Sequence, residues 1–158
     1  MTDRVTIFGY GPVGRATAAR LTAEGREIIV AQRSAPSGLP KGATFKAADA
    51  LDRDAVIEAA RGSGAFVVAI GFPYSGPLWR EAWPKAMANF VAACRATGAR
   101  MVFVDNLYMY GPQTAPLTET MPLSAYGLKP ALRSLPEAVR HVFSRVSAQH
   151  RTVSPQFQ

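Results

Sequence analysis

Three glycines, Gly9, Gly11 and Gly14, stand at the spacing G-x-G-x-x-G, with Tyr10, Pro12 and Val13 between them. The chemistry open to that spacing is electrostatic. Gly9 permits a tight turn out of a strand, Gly11 lets an anion approach the backbone, and Gly14 lets a helix lie close to the strand. The free N–H groups and positive end of that helix would then face a phosphate. A plain strand–turn–helix would account for one glycine but not for three. A dinucleotide is therefore the expected ligand, with Gly9, Tyr10, Gly11, Pro12, Val13 and Gly14 at its pyrophosphate. Further along stand Gln32, Arg33 and Ser34. A carboxylate at such a place would bind the ribose 2′-hydroxyl of NAD, whereas a guanidinium beside a hydroxyl suits the 2′-phosphate of NADP. Arg33 and Ser34 thus favour NADP, with NAD as the alternative. Glu27, the nearest acid, lies at the wrong end of the strand.

The elements that would hold these residues are legible around them. Val5-Thr6-Ile7-Phe8 is an apolar, β-branched run suited to a buried strand. A helix is expected from Arg15 to Glu24, with Ala16, Ala19 and Leu21 on its inner face and Gly25 as its stop. Ile28-Ile29-Val30-Ala31 completes a βαβ unit. Loop composition covers Ser34 to Gly42, and Ala43 to Ala47 reads as a short third strand. Asp52 is placed to cap a helix over Arg53 to Arg61, which Gly62-Ser63-Gly64 ends. Ala65 to Gly71 is a continuous apolar run, the mark of a central parallel strand covered on both faces.

Phe72 to Pro77 forms the loop at that strand's carboxyl end, where open α/β sheets bind ligands. A long helix is expected over Leu78 to Thr97, with Met87, Phe90, Val91 and Cys94 at helical spacing. Pro84 predicts that its first turn is a separate short helix. Met101 to Val104 supplies a fifth strand. The sum is an α/β fold: a Rossmann-type doubly wound parallel sheet of about five strands with helices on both faces. Ser134-Leu135-Pro136-Glu137 fits a capping box. It predicts a C-terminal helix from Leu135 to Ala148, followed by a polar tail. The domain organisation expected is a dinucleotide-binding domain over 1–130 and this helix and tail over 131–158, with no separate substrate domain.

Composition sets outer limits. The chain has 158 residues, of which 48% are hydrophobic and 18% charged, as in a soluble globular domain. The longest apolar run, Ala65 to Phe72, is too short to span a bilayer, and no signal peptide is evident, so no membrane partner is expected. Cys94 is the single cysteine. It excludes an intramolecular disulfide, fits a reducing cytoplasm, and reads as a packing residue. His141 and His150 have no partner motif, so no metal site is expected. The net charge of +7 is uneven: five Lys/Arg and one acid, Glu137, lie from Lys129 onward. Neither a run of adjacent basic residues nor an aromatic-interleaved patch accompanies it, which disfavours nucleic acid and leaves a solvated basic face.

Three features together are similar to one known family: the glycine motif, Asp49 closing the third strand, and Val104-Asp105-Asn106-Leu107-Tyr108-Met109-Tyr110-Gly111. The chain resembles the N-terminal, cofactor-binding part of an extended or atypical short-chain dehydrogenase/reductase of the NAD(P)-dependent epimerase/dehydratase kind. The likeness covers residues 5 to about 112, including the small-residue run Ala92 to Gly98 before the fifth strand. It implies that Asp49, with Ala50 beside it, binds the adenine amino group, and that Gly71 and Phe72 line the nicotinamide-side ribose. Asn106 occupies the place of the family's active-site Ser or Thr. An amide can donate a hydrogen bond to a carbonyl there but cannot relay a proton as a hydroxyl does.

The family's acid/base pair is a Tyr followed four residues later by a Lys. Tyr126-Gly127-Leu128-Lys129 is one residue short of that spacing, and Pro130 disfavours a helical Lys129. Tyr126 and Lys129 are the candidate pair, a surface loop is the competing reading, and Tyr108 and Tyr110 are alternatives for the acid. Family members continue with further strands and a substrate domain, so the chain reads as a shortened one, or as a cofactor domain carrying an unrelated C-terminus. Loss of the C-terminal half would expose an apolar surface that drives homo-oligomerisation. The resemblance implies hydride transfer at a small carbonyl or sugar-like substrate. A non-catalytic dinucleotide-sensing module remains the alternative. A channel's regulatory nucleotide-binding domain is a related one, against which Arg33 argues.

Overall fold

Five short parallel strands in the order β3-β2-β1-β4-β5 form the sheet of the computed structural model, which describes residues 3–73, 75–105, 110–118 and 120–122. The elements run β1 (Arg4–Phe8), α1 (Pro12–Ala23), β2 (Glu27–Gln32), β3 (Thr44–Ala47), α2 (Arg53–Ala60), β4 (Ala65–Val68), α3 (Gly76–Thr97) and β5 (Arg100–Phe103). The chain fills β1, β2 and β3 toward one edge, then returns to β4 and β5 on the other side of β1. The sheet is therefore doubly wound, with its switch point between β1 and β4.

Side-chain alternation sorts the two faces. Ile7 pairs in register with Val30 and Val67, and these three pack with Ala18 of α1. Phe8 pairs with Ala31 and Val68, and that row packs with α2 and α3. At its centre Phe8 meets Phe66 and Phe90 edge-on, with ring centroids 5.6 Å and 4.9 Å away. Burial of each such ring contributes about 1.5–3 kcal/mol, and the edge-to-face geometry adds roughly 0.5–1.5 kcal/mol. Thr6 is the buried polar exception on this face. Its hydroxyl donates to the Ala59 carbonyl at 2.9 Å and lies 2.9 Å from Ser63 Oγ, so no polar atom of it is stranded.

Three sequence expectations are corrected. First, α1 begins at Pro12, inside the glycine motif, and it buries Gly14 and Ala18 while Ala16 and Ala19 are exposed. Pro at the first helical position costs no hydrogen bond, because that N–H would be an orphan anyway. Second, Pro84 does not split α3, which runs unbroken from Gly76 to Thr97. Pro84 and Arg80 both lie on the exposed side, so water can satisfy the Arg80 carbonyl that Pro84 leaves without a donor, while Trp79, Trp83, Met87 and Phe90 bury the other side. Third, β4 closes at Val68 and β5 at Phe103, so Gly71 and Val104 lie beyond the strands. The Asp52 cap stands as expected: its carboxylate accepts from Asp54 and Ala55 N–H at 3.0 and 3.1 Å. The C-terminal helix and tail expected over 131–158 lie outside the described residues.

Candidate cofactor site

The carboxyl ends of β1, β2, β3 and β4 enclose a cleft of about 490 Å³ that straddles the switch point. That volume is in the range of sites for cofactor-sized ligands, and the position is where doubly wound sheets bind them. Gly9, Tyr10 and Gly11 form its floor; Arg33 and Ser34 follow β2 along one side; Asp49 and Ala50 follow β3; Gly71 and Phe72 follow β4. These nine predicted residues are thus brought together. Pro12 and Val13, in the exposed first turn of α1, do not line the cleft, and Gly14 is buried beneath it. Asn106, Tyr126, Lys129 and Tyr108 lie outside the described residues, and Tyr110 is half-buried away from the cleft.

The three glycines are required for different reasons. Gly9 has φ +93°, and a Cβ on it would come within 2.7 Å of the Ala69 carbonyl oxygen. A Cβ on Gly14 would come within 2.0 Å of the Gly9 carbonyl oxygen. Both are demanded by the fold. Gly11 has φ −73°, an ordinary value for any residue, and a Cβ there meets nothing within 4 Å. It is exposed, it lines the cleft, and the packing of the described residues does not need it to be glycine. What a side chain at Gly11 would fill is the space beside the start of α1. That start has no side-chain cap and no acid in its first turn, so no carboxylate of α1 itself competes for an anion there. A pyrophosphate fits this cradle.

The remaining walls are held by side chains from behind. Asp49 Oδ1 accepts Leu51 N–H at 2.9 Å, which fixes the carboxylate and leaves Oδ2 for a donor such as an exocyclic amine. Buried Asn89 of α3 donates to the Ala50 carbonyl at 2.9 Å. Trp79 donates through Nε1 to the Pro73 carbonyl at 2.9 Å, and Trp83 packs edge-on against Phe72 with centroids 4.9 Å apart. These α3 contacts set the wall after β4.

Sequence reasoning missed the part played by Gln32. Its Oε1 accepts Tyr10 N–H at 3.0 Å and its Nε2 donates to the Ser34 carbonyl at 2.8 Å. Tyr10 itself is more than a lining residue. It is 7% exposed, its hydroxyl donates to the Gly38 carbonyl at 2.9 Å, and the Arg15 guanidinium stacks 5.2 Å from its ring centroid. Arg33 has no hydrogen-bond or ion-pair partner among the described residues, and its side chain is exposed.

A parallel sheet in this order, with a glycine turn under a cleft at its switch point, defines a Rossmann-type dinucleotide-binding fold. The chain belongs to the NAD dependent epimerase/dehydratase family, whose profile matches residues 5–143. Solved structures agree on the fold. A uronate dehydrogenase from Agrobacterium tumefaciens superposes with a TM-score of 0.72 at 25% identity, over 90% of this chain and 56% of that one. A UDP-glucose 4-epimerase gives 0.74 at 14% identity, over 92% and 48%. A short-chain dehydrogenase/reductase superfamily protein from Agrobacterium tumefaciens, with bound NAD, gives 0.71 at 23% identity, over 94% and 45%. The chain thus spans about half the length of these structures. Comparison with curated protein sequences returns no match. No described helix is long and apolar enough to cross a membrane.

Proposed function

We propose that this chain is the cofactor-binding part of an NAD(P)-dependent oxidoreductase or epimerase acting on a small carbonyl or sugar-like substrate, and that NADP is its preferred nucleotide. The observation that carries the reading is Gly11: a glycine in an ordinary conformation, lining the cleft beside an uncapped helix start, with no described residue within 4 Å of the place its side chain would take. On this reading Gly11 and the first N–H groups of α1 hold the pyrophosphate, Asp49 the adenine amino group, and Gly71 and Phe72 the nicotinamide-side ribose. Arg33 and Ser34 hold the 2′-phosphate. Charge-assisted hydrogen bonds of that kind contribute about 1.5–3 kcal/mol, enough for a preference of roughly tenfold or more. The substrate class rests on the family and on likeness to a uronate dehydrogenase and a UDP-glucose 4-epimerase.

The nicotinamide would accept or supply hydride. Tyr126 would exchange the substrate's proton, Lys129 would lower the phenol's pKa by its charge, and Asn106 would donate to the substrate oxygen. Because Tyr126 and Lys129 are three apart with Pro130 next, a cofactor-sensing module without turnover is the second reading. Fluorescence titration with NADPH and NADH tests the site, and Arg33→Ala tests the cofactor choice. Tight NADPH binding that weakens selectively in the variant supports the proposal. No binding to either nucleotide sinks it. Binding without turnover on a carbonyl panel, unaltered by Tyr126→Phe, favours the sensing module.

A further inference from the structure

We infer that Gln32 is a positioning residue for cofactor selection, acting through the segment that carries Arg33 and Ser34. The inference rests on the cofactor reading above and deepens it. Gln32 is the last residue of β2, where a carboxylate would serve a ribose 2′-hydroxyl. Gln32 lines the cleft, and both ends of its carboxamide are in protein hydrogen bonds. The oxygen takes the Tyr10 N–H of the glycine turn, and the nitrogen holds the Ser34 carbonyl two residues ahead. Its own main-chain carbonyl accepts Ala48 N–H at 2.9 Å, beside Asp49. One residue therefore joins three of the segments that wall the cleft.

The consequence falls on the exposed residues between these ties. No helix follows β2; the chain runs through bends and irregular backbone to a turn at Lys41 and Gly42, then to Thr44. Leu39 and Ala43 pack against the core and the Ala43 N–H bonds the Pro40 carbonyl at 3.0 Å, so the far end is held locally. Nearer β2 there is no ladder, and side-chain ties fix the direction. Two are present: Gln32 to Ser34, and Tyr10 to Gly38. The first draws the Ser34 carbonyl back onto Gln32, which fixes the backbone on which Arg33 stands. Arg33 is exposed and makes no side-chain hydrogen bond to the described residues, so its guanidinium donors face away from them. A guanidinium discriminates a phosphate only if its base is held. Gln32 holds it.

The test is a set of NADPH and NADH affinities for wild type, Gln32→Met, Arg33→Ala and the double variant, each checked by thermal melting. Met matches glutamine in length and removes both amide hydrogen bonds. Should Gln32→Met not fold, Gln32→Asn, one methylene shorter and unable to bridge both partners, takes its place. The NADPH/NADH affinity ratio is expected to fall roughly three- to tenfold in the Gln32 variant, as for residues coupled through direct contact. In the double variant it is expected to match that of Arg33→Ala alone within about twofold, because no held guanidinium is left to misplace. A purely structural role would weaken both nucleotides alike and leave the ratio unmoved. A ratio that collapses in Arg33→Ala but survives in the Gln32 variant overturns this inference and leaves the cofactor reading standing. A wild type that binds neither nucleotide, or an Arg33→Ala ratio equal to wild type, overturns the cofactor reading and this inference with it.

Discussion

Gly14 and the Gly9 carbonyl oxygen are so close that a Cβ built on Gly14 would stand 2.0 Å from that oxygen. The contact joins the first turn of α1 to the end of β1 with no side chain between them. A methyl group there has no flexible neighbour to push aside, since the obstacle is backbone. Gly14→Ala must lift α1 from the sheet and disturb the packing of Ala18 against Ile7 and Val30. Overpacking of this kind costs about 1–3 kcal/mol and occasionally more, and the rigid obstacle places this variant at the upper end. Urea denaturation should show a lower midpoint. An unchanged midpoint would show that α1 is not seated as described.

Gly11 predicts the opposite pattern. A side chain there meets none of the described residues, and the position is the N-cap of α1. Aspartate is a better N-cap than glycine by a few tenths of a kcal/mol, and its charge favours the helix start. Gly11→Asp should therefore fold with stability equal to or up to about 0.5 kcal/mol above wild type. The same carboxylate would occupy and repel the pyrophosphate cradle, so dinucleotide affinity should drop at least about tenfold. Stability and binding are read in parallel, by thermal melting and by NADPH fluorescence. Loss of both together would mean that Gly11 is architectural like its neighbours. Retention of both would remove the pyrophosphate from this place.

Much of this was legible in the sequence, because the informative residues act locally. Val5 to Phe8 and the run from Ala65 announce buried parallel strands by composition, and Asp52 caps α2 through its own side chain. The glycine spacing located the turn and the cleft above it. The inner face of α1 was not legible. Ala16, Ala18, Ala19 and Ala23 give it no apolar period, and the face is chosen by the Gly14 contact, which only the sheet can supply. Pro84 misled for a related reason: its local rule is overridden by the Trp79, Trp83, Met87 and Phe90 stripe that α3 buries. Gln32 was read as one of three polar residues after a strand. Its role depends on Tyr10, which is 22 residues earlier in sequence and 3.0 Å away in space. No spacing rule connects them.

Cys94 yields a prediction with a definite pH window. It lies on the half-buried side of α3, and burial pushes its thiol from the ordinary 9.0 up to about 11, against a smaller opposing pull from backbone hydrogen bonds of Cys94 and Met101. At pH 8 the native thiolate should thus be about a hundredfold scarcer than in the unfolded chain, and alkylation by iodoacetamide slower in proportion. The sign for stability follows from linkage. The folded pKa is raised above the unfolded one, so the native state holds its proton more firmly. This contribution is fully present below pH 9 and is lost as pH rises from about 9 to about 11. Tyrosines and lysines also titrate in that window, so the comparison that isolates the effect is with Cys94→Ala. Wild type should lose more stability than the variant between those two pH values. Equal losses, together with equal alkylation rates in buffer and in urea, would show that the thiol is open to water, and that α3 does not seat this residue against β5.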